Sequence, residues 1–91
     1  MKVKIGKYVY EKSNRKNKKL MTVVDGKKVH FGDLRYGHFK DKTGIHKSLD
    51  HNDPKRRKNY LTRTAGIKNK EGKLTKDLPS SANYHARRIL W

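Results

Sequence analysis

The sequence predicts an α+β domain, with a small antiparallel β-meander over residues 2–31 followed by two short helices at residues 54–65 and 81–91. Three observations support this prediction. Apolar and aromatic residues of the first third alternate as they do in strands with one buried face. A tight-turn dipeptide separates two of these runs, and each helical segment follows a capping residue. At 91 residues the chain has room for a single small domain, 1–91.

The first strand is predicted over residues 2–11. Val3 and Ile5 share one side, and Tyr8 and Tyr10 share a side, but the phase of the alternation changes near Gly6. A glycine inside a strand often marks a bulge, so a bulge or bend is expected there. Residues 12–19 are polar turn formers and include five cations.

A hairpin is predicted next, with strands at residues 20–24 and 28–31. Asp25-Gly26 lies between these apolar runs, and this dipeptide favours the tight turn whose two central residues both have positive φ. Together with the first strand, the hairpin would form a three-stranded meander.

The first helix is predicted to start at Asp53-Pro54, because aspartate caps helices and proline suits their first position. No breaker follows before Gly66. The inward face would comprise Tyr60, Leu61 and Ala65. The preceding residues 32–53 have no clear period, so this long connection is expected to be functional or partly helical.

The last helix is predicted to be capped by Ser80 or Ser81. One apolar stripe, opposite His85 and Arg88, would run along it through Ala82, Ala86, Ile89 and Leu90. Trp91 is expected to dock on the domain, because an indole buries a large apolar area.

Charge is the dominant property of the sequence. Lys and Arg number 25 against 8 Asp and Glu, which gives a net charge of +17. The excess is spread along the chain, with 13 basic and 4 acidic residues over 1–45 and 12 and 4 over 46–91. Such a body repels itself and favours a polyanionic partner, of which nucleic acid is the commonest. The alternative is a soluble basic protein whose charge only repels its own copies.

Several classes are excluded by composition. No apolar run approaches the roughly 18 residues that span a bilayer, and no apolar segment follows the basic start as in a signal peptide. We therefore expect a protein that is neither secreted nor transmembrane and has no membrane partner. The absence of cysteine excludes disulfides and thiolate metal sites.

Two basic clusters are the candidate contacts for phosphate. The first lies in the loop after the first strand, and the second lies in the first turn of the first helix. Cations oppose the helix dipole there, at a cost of about 0.3–1 kcal/mol each, while the free N–H groups of that turn favour an anion. The alternative for the helical cluster is a solvated helix face. The candidate residues are Arg15, Lys16, Lys18, Lys19, Lys55, Arg56, Arg57 and Lys58.

Aromatic residues are interleaved with these cations, as in proteins that stack on single-stranded bases. Tyr8 and Tyr10, on a strand beside the basic loop, are the candidate stacking residues. The alternative is that the aromatics form the core, because the chain has few aliphatic residues.

A metal or catalytic site has weak support. His46, Asp50, His51 and Asp53 are close in sequence, and the Asp-His pair resembles the opening of HNH nucleases, in which the histidine activates water beside a metal. The paired Asn and His that should follow a Gly-Gly turn are missing. The alternative is that Asp50 and His51 are turn and capping residues. We predict no metal, no cofactor and no catalytic residue, with no enzyme activity.

Taken together, the motifs resemble a family of small basic proteins of unknown function found in tailed phages, including crAss-like ones, and in large eukaryotic DNA viruses. The resemblance covers residues 10–91, and one departure is Thr64, where some relatives have histidine. Its motifs are Val29-His30-Phe31-Gly32-Asp33, Tyr36, Phe39-Lys40-Asp41, Asp50-His51-Asn52-Asp53, the Arg- and Lys-rich helix over 56–63, and the end from Ser81-Ala82-Asn83-Tyr84 to Leu90-Trp91.

This resemblance implies a viral origin, in the virion or the host-cell cytoplasm, and supplies no catalytic residues. With the charge, it predicts binding to the phosphate backbone of nucleic acid, DNA rather than RNA, without sequence specificity and during or after particle assembly. The alternative is a minor virion structural protein between capsid or connector subunits, with its cations on acidic surfaces and Trp91 and tyrosines as anchors. A metal-dependent nuclease is the third hypothesis.

Overall fold

The computed structural model describes residues 2–91 and shows the predicted α+β fold. Four antiparallel strands pair in chain order, and two α-helices follow them. Single 3₁₀ turns lie at Lys47–Leu49 and Thr75–Asp77. The strands are β1 (Lys2–Ile5), β2 (Tyr8–Lys12), β3 (Lys18–Val24) and β4 (Lys27–Asp33), and the helices are α1 (Pro54–Ala65) and α2 (Ala82–Ile89).

The expectation of one bulged strand over residues 2–11 is wrong, because this segment is a hairpin. Gly6 has a φ of 63° and the chain reverses there, so that Ile5 pairs with Tyr8 and Val3 with Tyr10. Residues that face each other across antiparallel strands lie on the same side of the sheet. The change of phase at Gly6 therefore marks a turn, and the meander has four strands instead of three.

The Asp25-Gly26 hairpin is confirmed. Val24 pairs with Lys27 across the turn. Asp25 and Gly26 have φ values of 51° and 79°, as a two-residue turn between twisted strands requires.

The core lies between one face of the sheet and α2. Tyr10, Leu20 and Phe31 are buried on the sheet, and Ile89 and Leu90 cover them. The predicted stripe on α2 is corrected at two positions, because Ala82 is exposed and His85 is buried. The helix also stops at Ile89.

Burial of His85 is explained by its two hydrogen bonds. Its Nε2 donates to the main-chain oxygen of Pro79 at 2.6 Å, and its Nδ1 accepts from the hydroxyl of Tyr10 at 2.8 Å. A neutral imidazole with both nitrogens satisfied loses little on leaving water.

Helix α1 begins and ends as predicted. The carboxylate of Asp53 accepts hydrogen bonds from the N–H groups of Lys55 and Arg56. On its inner side, Thr64 is buried and the predicted residues Tyr60, Leu61 and Ala65 are partly buried. Arg87 of α2 donates to the oxygen of Leu61 and to the hydroxyl of Thr64, which joins the two helices.

The connection over residues 34–53 is fixed by polar contacts in place of regular structure. Lys19 Nζ lies 2.9 Å from His38 Nδ1, and His38 Nε2 lies 2.6 Å from Asp50 Oδ1. Asp50 also accepts from the N–H of Asp41, and His46 Nε2 donates to the main-chain oxygen of Lys19. We call Lys19, His38 and Asp50 the buried triad.

Gly32 is required by both backbone conformation and contact. Its φ is 78°, and an added Cβ would lie 2.8 Å from Leu90 Cδ1 and 3.0 Å from the Lys19 stem. We expect Gly32→Ala to lower the free energy of unfolding by about 1–3 kcal/mol more than Gly72→Ala, as overpacking does. Gly72 has φ 79° with nothing within 4 Å, so it isolates the backbone cost. If urea unfolding shows the same loss of stability for both variants, the predicted overpacking against Leu90 and Lys19 is contradicted.

Candidate nucleic-acid interface

Most carboxylates of the described chain are already engaged within the domain. Asp41 and Asp50 bond inward, Asp53 caps α1, and Asp33 holds the Arg35 guanidinium through two contacts of 3.0 and 2.7 Å. Those hydrogen bonds lower the pKa of Asp33 to about 2. The remaining pairs join exposed side chains: Glu11 with Lys2, Asp53 with Arg56, Glu71 with Lys73 and Asp77 with Lys76. The other cations therefore dominate the surface potential.

Trp91 is docked, as predicted, among aromatic side chains and cations. Its ring stacks on Tyr60 with centroids 4.1 Å apart and planes 8° from parallel. His51 packs beside it at 5.2 Å, and Arg57 Nε donates to its main-chain oxygen at 2.7 Å. Trp91 is thereby held against α1.

One face of α1 carries cations on either side of this stack. Arg56, Tyr60 and Arg63 are spaced i, i+4 and i+7, so they lie on the same side of the helix. The Arg63 guanidinium lies 5.7 Å from the Tyr60 ring centroid. With Asn59 and Trp91, these residues line a shallow depression of about 260 Å³.

A larger depression of about 580 Å³ opens on the next side of Trp91. Gly32, Ala86 and Leu90 line it, and the aromatic residues of its wall are Tyr36, Tyr60 and Trp91. Lys18, Asp33 and Arg63 also line it, together with the buried Lys19. We call this the main depression.

A third depression, of about 270 Å³, borders Trp91 on the side of residues 39–42. Lys40, Lys42 and Arg57 supply its charges, and Phe39 lies 5.4 Å below the Arg57 guanidinium. Burial, together with the charges of Arg57 and Arg88, lowers the pKa of Lys42. The Trp91 surface denotes these three adjoining depressions, with the residues Lys18, Tyr36, Lys40, Lys42, Arg56, Arg57, Tyr60, Arg63 and Trp91.

The structure divides the two predicted basic clusters. Lys18, Arg56 and Arg57 belong to the Trp91 surface. Arg15 and Lys16 are exposed in the β2–β3 loop. Lys55 and Lys58 are exposed on α1 but are turned away from the stripe of Arg56 and Arg63.

Lys19 is wrongly predicted as a phosphate contact. Its side chain is turned into the domain, leaving the residue 2% exposed, and its ammonium bonds to His38. Burial lowers the pKa of Lys19, while the nearby carboxylates of Asp33, Asp41 and Asp50 oppose this effect. Lys19 is therefore a structural cation of the buried triad.

The stacking role predicted for Tyr8 and Tyr10 is also corrected. Both rings are buried, and they pack edge-on against His85 with centroids 5.0 and 5.6 Å away. Burial raises the pKa of Tyr10 to about 12. The alternative, that these aromatics form the core of an aliphatic-poor chain, is the correct one for these two residues.

The histidine cluster has structural contacts. His46 bonds to Lys19, and His51 Nδ1 accepts the N–H of Asp53 at 3.0 Å. Asp50 is held by His38. Among residues 2–91, no group of three or more His, Cys, Asp or Glu side chains is placed to hold a metal ion.

Sequence reasoning missed the roles of Tyr36, Lys40, Tyr60 and Arg63. The helical spacing of Arg56, Tyr60 and Arg63 was a usable signal, because it predicts one cationic-aromatic face. No local signal links Tyr36 or Lys40 to Trp91, since the fold brings them together across some fifty residues of chain.

Fold and surface together define a small basic α+β domain with an aromatic-centred cationic face. The chain belongs to a family of unknown function, DUF5754, whose model matches residues 8–64. No curated protein and no solved structure matches the chain. Within residues 2–91, none of the helices has the length and apolar character needed to cross a membrane.

Proposed function

We propose that this protein binds nucleic acid through the phosphate backbone, without sequence specificity, and that the Trp91 surface is the contact. The observation that supports this most is the gathering of Lys18, Lys40, Arg56, Arg57 and Arg63 around one aromatic centre. Asp33, the acidic residue that lines the main depression, forms an ion pair with Arg35.

Counterion release supplies the free energy of such binding, and each neutralised phosphate adds to the salt dependence. The phosphates would be held by side chains. The free N–H groups expected at the start of α1 are already engaged, because Asp53 accepts from Lys55 and Arg56 and its main-chain oxygen accepts from Arg57. Arginine is suited to this role, since its planar donors match phosphate oxygens.

The biological setting of the proposal comes from the resemblance of residues 10–91 to small basic proteins of phages and large DNA viruses. We propose that the bound polymer is viral nucleic acid, DNA rather than RNA, and that binding accompanies particle assembly in the host-cell cytoplasm or persists in the virion. The activity proposed is binding alone.

The test compares two pairs of variants on the same helix. We expect Arg56→Gln with Arg63→Gln to lower the slope of log affinity against log salt by about 1.8 on a mixed-sequence duplex, at roughly 0.9 per lost phosphate contact. Lys55→Gln with Lys58→Gln removes the same charge from the opposite face, and it should change the slope much less. Fluorescence anisotropy at salt concentrations from about 50 to about 300 mM, which include physiological ionic strength, measures both slopes.

Two results would overturn the proposal. Equal losses from the two pairs would show that overall charge, and not the Trp91 surface, determines affinity. Weak binding of the unaltered protein at the lowest salt concentration would contradict nucleic-acid binding as its function.

A second candidate function is that of a minor structural protein, and the outer face of the sheet favours it. Val9 and Val23 are 44% and 56% exposed there, beside Lys2 and Lys28. An acidic capsid or connector surface with an apolar centre would complement this face. This candidate predicts that Val9→Ser with Val23→Ser weakens binding to an acidic capsid or connector protein and leaves nucleic-acid affinity unchanged.

A further inference from the structure

We propose that the main depression holds one unstacked base, so that the substrate is a single-stranded nucleic acid in preference to a duplex. This inference rests on the proposed function and names its substrate class. The phosphates on either side of the base would lie against Lys18 and Arg63, the two exposed cations that line the depression.

The main depression has the form that a base requires. Its volume of about 580 Å³ lies within the usual range of small-molecule sites. Its lining combines the apolar residues Gly32, Ala86 and Leu90 with three aromatic side chains. Aromatic walls bind any of the bases, because each base has a π face, and this agrees with binding that is independent of sequence.

Tyr36 is the wall residue that has no other evident structural task. It is 67% exposed, the most exposed of the large apolar side chains in the described chain. Its N–H bonds to the oxygen of Asp33 at 3.1 Å, which fixes the turn after β4, and the Arg35 guanidinium lies 5.8 Å from its ring centroid. The side chain is thus largely in water, and its one described ring contact is with the exposed Arg35.

The other two aromatic residues of the wall are held by contacts within the domain. Tyr60 and Trp91 are stacked in parallel, and Trp91 is also held by Arg57 through its main-chain oxygen. A duplex keeps its bases inside the stack, so it presents only phosphates to this surface unless a base is extruded at a cost. A single strand offers bases without that cost, which is the physical origin of the proposed preference.

The experiment uses two single strands of about 15 nucleotides, within the site sizes known for single-strand binders. One is oligothymidine, and the other has the same phosphates but an abasic sugar at each position. We expect oligothymidine to bind roughly 5- to 150-fold more tightly, the range that stacking of one base gives. Trp91 is the sole tryptophan, and its emission should be quenched by oligothymidine alone.

Variants of Tyr36 keep the test independent of folding, because this side chain is exposed. Tyr36→Ala should abolish the advantage of oligothymidine over the abasic strand, and Tyr36→Phe should preserve it because the ring remains. Leu34→Ala, two residues away at another exposed apolar side chain, is the control and should change neither affinity.

The outcomes separate this inference from the proposed function. Equal, salt-sensitive binding of both strands, with no change in Trp91 emission, would overturn the base site and leave phosphate binding intact. A duplex that binds as tightly as oligothymidine would also overturn it. Failure of both strands and the duplex to bind at low salt would overturn both proposals.

Discussion

Asp50→Ala should destabilise the protein by about 3–5 kcal/mol, the usual cost of removing one partner from a buried charged group. The Asp50 carboxylate accepts from His38 Nε2 at 2.6 Å and from the N–H of Asp41 at 2.8 Å. Without it, the Lys19 ammonium and the His38 ring stay buried with a broken hydrogen-bond chain. A domain of this size has only about 5–15 kcal/mol of stability, so urea unfolding followed by circular dichroism should show a large shift of the midpoint.

The matched control for this variant is Glu71→Ala, which removes a carboxylate from an exposed pair with Lys73. That change should cost less than about 1 kcal/mol. If the two variants lose similar stability, the buried triad is not the element that fixes residues 34–53. Adding Lys19→Met to Asp50→Ala should recover part of the loss, because it removes the buried charge that Asp50 no longer balances.

Stability should also fall steeply as the pH drops below about 6.5, the pKa of an unfolded histidine. Burial lowers the pKa of His85, and burial and the Lys19 charge lower that of His38. An added proton on Nδ1 of His38 would face the Lys19 ammonium, and one on Nδ1 of His85 would require the Tyr10 hydroxyl to stop donating and accept instead.

The direction follows from proton linkage. Between the folded and unfolded pKa values, the unfolded chain binds more protons, so the free energy of unfolding rises with pH and falls on acidification. Each histidine contributes at most about 1.4 kcal/mol per pH unit in that window, or about 2.7 for the two. Above pH 6.5 their contribution is constant.

Thermal unfolding from pH 7.5 to 4.5, a range of about two units below and one above the unfolded pKa, measures this dependence. His85→Gln should unfold at lower temperature at pH 7.5 and show a shallower loss on acidification, because one of the two titrating groups is gone. His30→Gln is the comparison: burial and nearby cations lower the pKa of His30 as well, but its ring is partly exposed, so its loss should change the pH profile less than the loss of the buried His85. If His85→Gln leaves the pH dependence of stability unchanged, His85 is not one of the groups responsible for it.

Local signals predicted much of the fold. Asp25-Gly26 and Asp53-Pro54 each set a boundary through their own φ values or side-chain bonds, and Ser81 caps α2 by accepting from Asn83. A change of alternation indicates either a bulge or a reversal of the chain, so the sequence alone does not predict the turn at Gly6. Only the pairing of Ile5 with Tyr8 decides between them.

Burial of polar groups was the part that the sequence could not predict. Lys19 and His85 look like surface residues, since lysine and histidine on their own favour water. Their partners lie far along the chain, with His38 19 residues from Lys19 and Tyr10 75 residues from His85. The same separation in sequence hid the main depression, which is lined by residues of β3, β4, the turn after β4, α1, α2 and the two residues after α2.

The short β1 hairpin has a consequence for how copies of the protein approach one another. β1 lies at the edge of the sheet, where unpaired backbone groups could extend the sheet into a second molecule. Lys2 and Lys4 are exposed on this strand, and a chain of net charge +17 repels its neighbours. That protection weakens when salt or a polyanion screens the charge. Self-association through the β1 edge is thus opposed in the free protein and becomes less costly on a polymer that neutralises it.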